Sequence, residues 1–265
     1  MKYKIDHDYH IHSKLSACSQ VPEQTKERIF QYAKDNGLRQ ICITDHYWDS
    51  EVDGASRWYA PQNFEHISQI KPLPSDERVR FAFGCETDMD KFGVIGIPQS
   101  RFNDFDFMIV PTTHLHMKGW TIEEAECESN ALLAKAWVRR FDDLLNSDLP
   151  FKKVGIAHLA CPLINKKSRA DYLKTLDLLP QNDLERLFSK AAELGCGVEL
   201  NQEDMKFSEE EKDTILRIFR TAKYCGCKFY LGSDAHEPGA FTHSIALFAK
   251  AIDELGLTEQ DKFIL

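Results

Sequence analysis

The stretch Asp8-Tyr9-His10-Ile11-His12-Ser13 sets two imidazoles two residues apart on an extended segment. Successive side chains of a strand point to opposite faces, so positions i and i+2 share a surface and two ring nitrogens can reach one ion, while Ile11 turns away into packing. A histidine pair on its own is commoner without a metal than with one. Here more donors of the same kind follow: Thr44-Asp45-His46, Gly84-Cys85-Glu86, Thr113-His114, Ala157-His158 and Gly232-Ser233-Asp234-Ala235-His236. Each places a ligand-type residue just after an apolar run.

Those apolar runs are the elements that must position the donors. Short runs at 3–10, 40–44, 79–85, 105–111, 153–157, 197–200 and 228–231 predict seven strands. Helical spacing is predicted over 23–36, 121–145, 181–194, 208–224 and 242–255. The first helix opens after Pro22 and stops at Gly37, and Ser208-Glu209-Glu210-Glu211 has the pattern of a capping box. Strands that alternate with helices imply an α/β fold with a parallel sheet, because parallel neighbours need a long crossover. Every candidate ligand falls at the downstream end of a strand. A closed parallel barrel brings those ends to one face, whereas an open sheet spreads them along a line, so joint binding requires the barrel. The sixth strand ends Glu199-Leu200-Asn201-Gln202 without a histidine, which suits it to support the site by hydrogen bonds or to contact substrate.

Composition narrows the classes of function. The chain has 265 residues, with 33 Lys and Arg against 42 Asp and Glu and a formal charge of -9. An acidic balance argues against broad nucleic-acid binding. Eight scattered cysteines and a start at Met1-Lys2-Tyr3-Lys4 with no apolar signal segment point to a cytoplasmic protein with reduced thiols. Cys225-Gly226-Cys227 lacks a redox or zinc-ribbon spacing and reads as a packed pair. No apolar stretch approaches the ~18 residues of a membrane span. Residues 1–265 are read as one domain, with 49–78 as a loop-rich insertion around one short helix and a candidate lid. Oligomeric state has no signature here.

In its ordered motifs the chain resembles the PHP (polymerase and histidinol phosphatase) metal-dependent phosphoesterases. The matching elements are His10-Ile11-His12-Ser13, Thr44-Asp45-His46, Gly84-Cys85-Glu86, His114, His158 and Gly232-Ser233-Asp234-Ala235-His236, in family order over nearly the whole chain. The resemblance implies a distorted seven-stranded parallel (β/α) barrel, TIM-barrel-like, with two or three divalent ions. Carried over residue by residue, it implies a first ion on His10, His12, Glu86 and Asp234, and a second on Glu86, His114 and His158. A third would take His46, His236 and a residue downstream of the His-x-His pair. Cys18 stands at about that place, where a ligand and a plain thiol are both open readings. His114 is favoured over His116, which lies two residues on.

Imidazole and carboxylate donors suit zinc, manganese or iron. Two neighbouring ions can lower the pKa of a shared water and offset charge on phosphate oxygens, so a metal-bridging hydroxide is the expected nucleophile on a small phosphate ester. A histidinol-phosphatase-like reaction is the leading reading. A nuclease or phosphodiesterase with the same cluster and a non-catalytic metal-binding domain are the alternatives. Among basic groups, Arg169 in Lys166-Lys167-Ser168-Arg169 is the first candidate for a phosphate contact. Arg57-Trp58-Tyr59 and Trp120 are candidates for a flat apolar wall.

Overall fold

The computed structural model describes residues 1–19 and 21–265. Seven parallel strands form a nearly closed barrel in the order β1 (His7–Ile11), β2 (Gln40–Ile43), β4 (Arg80–Thr87), β5 (Phe107–Pro111), β6 (Val154–Ala157), β7 (Gly197–Asn201) and β8 (Lys228–Gly232). A two-residue strand, β3 (His46–Tyr47), adds to the downstream half of β4. The ring closes just past the strand ends, where the Asp234 amide donates to His10 O at 2.7 Å and the His12 amide to Ala235 O at 3.1 Å.

The helices outside the sheet are α1 (Lys26–Asp35), α2 (Phe64–Ile67), α3 (Asn130–Leu145), α4 (Arg169–Asp177), α5 (Gln181–Leu194), α6 (Lys212–Tyr224) and α7 (Ser244–Leu255). Their apolar stripes, such as Leu184, Leu187, Phe188 and Ala191 of α5, bury against the outer face of the sheet. Several helices start later than the sequence expectation, among them α1 at Lys26 and α6 at Lys212, which follows Glu211 with no side-chain cap rather than opening at 208. Ser129 caps α3 by accepting from the Leu132 amide, so the helix begins at Asn130 rather than near 121. The run 166–169 leads into a further helix, α4, capped by Ser168. In the 49–78 insertion one short α-helix, α2, does occur.

A bulge in β1 sets the direction of the first histidines. Between the pairs Asp8↔Ile41 and Ile11↔Ile43, β1 advances one residue more than β2. Such an insertion re-aims side chains. Tyr9 fills the barrel interior, His10 and His12 turn to the downstream end, and Ile11 packs in the outer core. The interior's upstream end is closed by aromatic rings, with Phe263 held by its amide on Phe229 O at 2.8 Å. Gly155 makes room for them: a Cβ there would lie 2.5 Å from Phe107 Cζ.

Candidate metal centre

Eight predicted donors meet at the downstream end of the barrel. His10 and His12 bring their Nε2 atoms within 3.1 Å of each other. Glu86 Oε2 lies 3.5 Å from His10 Nε2, 3.2 Å from His12 Nε2 and 3.0 Å from His46 Nδ1. Its other oxygen faces His158 Nε2 at 3.7 Å and His114 Nε2 at 4.0 Å. Asp234 Oδ1 is 3.1 Å from His12 Nε2 and 3.6 Å from His236 Nδ1, and Oδ2 is 3.2 Å from His158 Nε2. Between His114 and His116 the structure brings His114 to the cluster, with His116 next to it at a ring separation of 5.5 Å.

Outer partners fix the protons of three imidazoles. Glu199 Oε1 accepts from His10 Nδ1 at 2.6 Å, Ser16 Oγ from His12 Nδ1 at 2.9 Å, and Asp88 Oδ2 from His114 Nδ1 at 2.8 Å. With Nδ1 protonated, each Nε2 lone pair is aimed inward, the arrangement in which histidine binds metal. The partners are themselves held. Ser16 Oγ donates to Asp45 Oδ1 at 2.7 Å, and the fully buried Arg140 donates to Asp88 Oδ1 at 2.9 Å. Glu199 also accepts from the His158 amide at 3.0 Å, and it fits only because Gly232 beside it has no side chain.

Two ligand positions carry strained backbone. His158 (φ 58°) and Asp234 (φ 51°) are the non-glycine residues in the left-handed region among the described residues. Such strain persists where surrounding structure fixes it, and it gathers at functional sites.

The electrostatics call for a cation. Both oxygens of Glu86, Asp234 Oδ1 and both ring nitrogens of His158 are buried without a hydrogen-bond partner among the described residues. Buried polar atoms left without partners are unfavourable, and a cation between the carboxylate oxygens and ring nitrogens would satisfy them. Burial opposes charge on His10, yet Glu199, Asp234 and Glu86 hold its pKa well above the ordinary value. Burial likewise opposes a charged His158, but Asp234 and Glu86 raise it to about 9. His236 goes the other way, to about 3, through burial and the neighbouring His12. The donor set therefore fits divalent metal: Glu86 and Asp234 are held ionised, and a bound cation would take the place of the protons that they draw onto His10 and His158.

Above the cluster opens a cavity of about 480 Å³ lined by the cluster side chains with Cys18, Trp58, Tyr59, His116, Met117 and Leu163. Trp58 and Tyr59 come from the 49–78 insertion. Trp120 packs behind Tyr59 and donates to Gly54 O at 2.7 Å, bracing the insertion rather than lining the cavity. Arg57 is exposed and does not line it.

The chain's relatives carry the same association. Over 94% of this chain and 93% of its own length, a protein of Deinococcus radiodurans named probable histidinol-phosphatase is 28% identical. Proteins named probable phosphatase from Vibrio campbellii and Caldicellulosiruptor saccharolyticus are each 25% identical, over 97% and 80% of this chain and 86% and 73% of theirs. No family model matches the chain. Solved structures share the fold. A histidinol phosphate phosphatase from Lactococcus lactis, complexed with zinc, L-histidinol and phosphate, superposes with a TM-score of 0.58 at 17% identity over 93% of both chains. A putative histidinol phosphatase from Listeria monocytogenes gives 0.63 at 13% identity over 91% of this chain and 99% of the other.

The structure does not bring one expected residue, Arg169, to the cavity. Arg169 begins α4, and its Nε and a terminal nitrogen each donate to Glu211 at 2.7 Å, with Tyr172 under the guanidinium. It lies outside the cavity lining, at the start of a helix that Ser168 caps. Sequence reading missed Asp88 and Arg140. Glu86-Thr87-Asp88 repeats the i, i+2 spacing of the histidine pair, and Arg140 is a lone cation in the buried stripe of Trp137, Phe141 and Leu144. Both signals were present.

Proposed function

We propose that the chain hydrolyses a small phosphomonoester, using divalent ions held by the eight converging residues. The observation that carries this reading is the set of buried polar atoms of Glu86, Asp234 and His158 that face one another with no hydrogen-bond partner among the described residues. His10, His12, Glu86 and Asp234 hold one ion, Glu86 is shared with His114 and His158 for a second, and His46 and His236 serve a third. Imidazole and carboxylate donors accept zinc, manganese or iron, and the zinc of the Lactococcus lactis structure puts zinc first. When bound, such ions make water nucleophilic at neutral pH and offset charge on phosphoryl oxygens.

The chain's own side chains do the rest. Glu199, Ser16 and Asp88 keep the Nδ1 protons of His10, His12 and His114 away from the centre. Trp58, Tyr59, Met117 and Leu163 enclose the alcohol part of the ester and exclude water. Among the described residues the cavity lining has no lysine or arginine, so the phosphate meets no protein cation there other than an imidazolium. That dependence on metal separates the site from one built on arginine forks. Residues 1–265 then work as one domain with 49–78 as the wall over the mouth. Among the described residues no helix is long and apolar enough to cross a membrane. Eight free cysteines fit the reducing cytoplasm.

Metal content by plasma mass spectrometry, paired with phosphate release from a panel of monoesters that includes L-histidinol phosphate, tests the proposal. Two or more ions per chain with turnover of a monoester is the expected result. A protein that stays inactive on the whole panel after zinc, manganese and iron are supplied overturns it.

A further inference from the structure

Beside the metal cavity, and apart from the cluster itself, lies a smaller side pocket of about 210 Å³. His116 and Leu163 line both spaces. The His116 ring stands 5.5 Å from that of His114, so the side pocket begins about one short alkyl stem away from the proposed ions. Its floor is apolar and buried, with Leu115, Leu133 and Ile164, while its rim carries Lys118, Lys166 and Lys167. Among the described residues no carboxylate lines it, although the chain as a whole has a formal charge of -9.

The three lysines are not equivalent. Lys167 Nζ donates to Cys127 O at 3.0 Å and to Glu128 O at 3.3 Å, tying the loop after β6 to the turn before α3. Asn165 anchors the same loop by donating to Asn130 Oδ1 and Thr175 Oγ1, each at 3.0 Å. Lys118 and Lys166 are exposed, and their ammonium groups have no hydrogen bond or ion pair among the described residues. Of the acids in the turn before α3, Glu123 engages Lys91 and Glu126 engages Arg139, and none lines the pocket. The opposite flank of the mouth, beside Cys18 and His236, carries the other sign: Glu203, engaged by Lys206, and Glu237. A mouth that is basic on one flank and acidic on the other steers a charged tail to one side.

We infer that the side pocket is a specificity subsite: the alcohol part of the ester carries a second anionic group, carboxylate or phosphate, which Lys118 and Lys166 hold while the ester phosphate sits at the ions. The inference rests on the phosphomonoesterase reading above and names its substrate class. The lining of the metal cavity has no lysine or arginine among the described residues, so the ammonium groups read the second anion and not the phosphate being released. A stem that passes His116 and Leu163 onto Leu115 and Ile164 removes apolar area from water on the way. An alcohol that bears an ammonium meets like charge here. Exposed ion pairs are individually weak and screened by salt, so the preference needs both lysines and falls as ionic strength rises.

The test uses the full-length, metal-loaded protein and a matched series: butyl phosphate, phosphooxybutanoate, butanediol bisphosphate and aminobutyl phosphate. Counted per phosphate group, kcat/KM is expected to be about tenfold higher for the carboxylate or bisphosphate ester than for butyl phosphate, through KM, and lower still for the amine. Which of the two anionic esters gains more identifies the second group. Lys118→Met combined with Lys166→Met is expected to bring the ratio of anionic to neutral ester close to one, and Lys166→Arg to keep it. Lys118→Glu combined with Lys166→Glu is expected to move the preference to aminobutyl phosphate. Calorimetric affinities for the same esters give a readout independent of turnover. Equal kcat/KM across the series, a wild-type preference for the amine, or an anionic preference that survives in the double methionine variant overturns the inference and leaves the phosphatase reading standing. The expected order of affinities without phosphate release overturns the phosphatase reading and keeps the anion subsite. Neither release nor order brings down both.

Discussion

At the upstream end of the barrel interior, Phe107 packs against Tyr9, Tyr230 and Phe263 with ring centroids 5.7, 5.2 and 5.7 Å away. At the downstream end the same strands lead to Glu86, Asp234 and a ring of histidines, buried or half-buried and with several polar atoms unpartnered. In the aromatic plug apolar area is removed from water and Phe107 meets Tyr9 and Tyr230 edge to face, with the Tyr230 hydroxyl the polar atom left unpartnered among the described residues. At the polar end several such atoms gather, and buried polar atoms without partners cost free energy. Unlike ends of one barrel teach that the upstream half stabilises the scaffold so that the downstream half can remain unsatisfied until ions bind.

The largest expected effect breaks the downstream end. Glu86 faces both proposed ion positions, so Glu86→Gln should lower phosphatase turnover by roughly a thousandfold or more, the several kcal/mol a metal centre contributes. Ion count should fall with it while the fold persists. Wild-type ion content and turnover in this variant would refute the bridging role. In wild type, chelation should lower Tm, since whatever binds only the native state stabilises it.

Phe107→Ala attacks the plug instead. Loss of a buried ring that touches three others should destabilise by about 3–5 kcal/mol, read from denaturant midpoints. Ion affinity measured well below the midpoint should stay near wild type. A large loss of affinity in the still-folded variant would show that the two ends are coupled and the comparison is misdrawn.

Glu199→Gln probes the seam between the ends. Its carboxylate reaches from β7 to His10 Nδ1 and to the His158 amide. Weakening an outer partner of a ligating histidine typically loses 10–100-fold in metal affinity or activity. That range is expected in a zinc titration, with stability barely changed. An unaltered zinc affinity would reduce Glu199 to a packing group.

The sequence showed these two ends unequally. Strand ends were legible because apolar runs stop where donors begin, and ordered motifs made the donors conspicuous. Glu199 was legible as a supporting residue from its place at the end of the sixth run. The Asp88–Arg140 pair needs α3 folded across the cavity's flank, a contact between residues 52 apart that no local spacing encodes. Arg169 misled for a related reason. A basic run carries no sign of the Glu211 carboxylate that engages it from the start of α6, and that carboxylate's own capping pattern pointed only to Ser208. The plug was least visible of all, since Tyr9 enters the interior only through the β1 bulge.

Asp204 gives the finest test, because it is a buried polar group at the downstream end that no ion is proposed to use. It accepts from the Ala160 amide at 3.3 Å, and its other oxygen has no partner among the described residues. Burial, against a smaller opposing pull from His158, raises its pKa from 3.8 to about 8. The folded state then keeps a proton that the unfolded chain releases, so the native form gains stability at low pH and loses it as pH rises toward the folded pKa. Metal-free wild type should lose up to about 1.4 kcal/mol per pH unit relative to Asp204→Asn between roughly pH 4 and 8, and nothing further above that. Denaturant midpoints for the two proteins across this window measure the difference. Parallel curves would mean that Asp204 is ionised in the fold. It would then count with Glu86 and Asp234 among the negative charges that the bound ions answer.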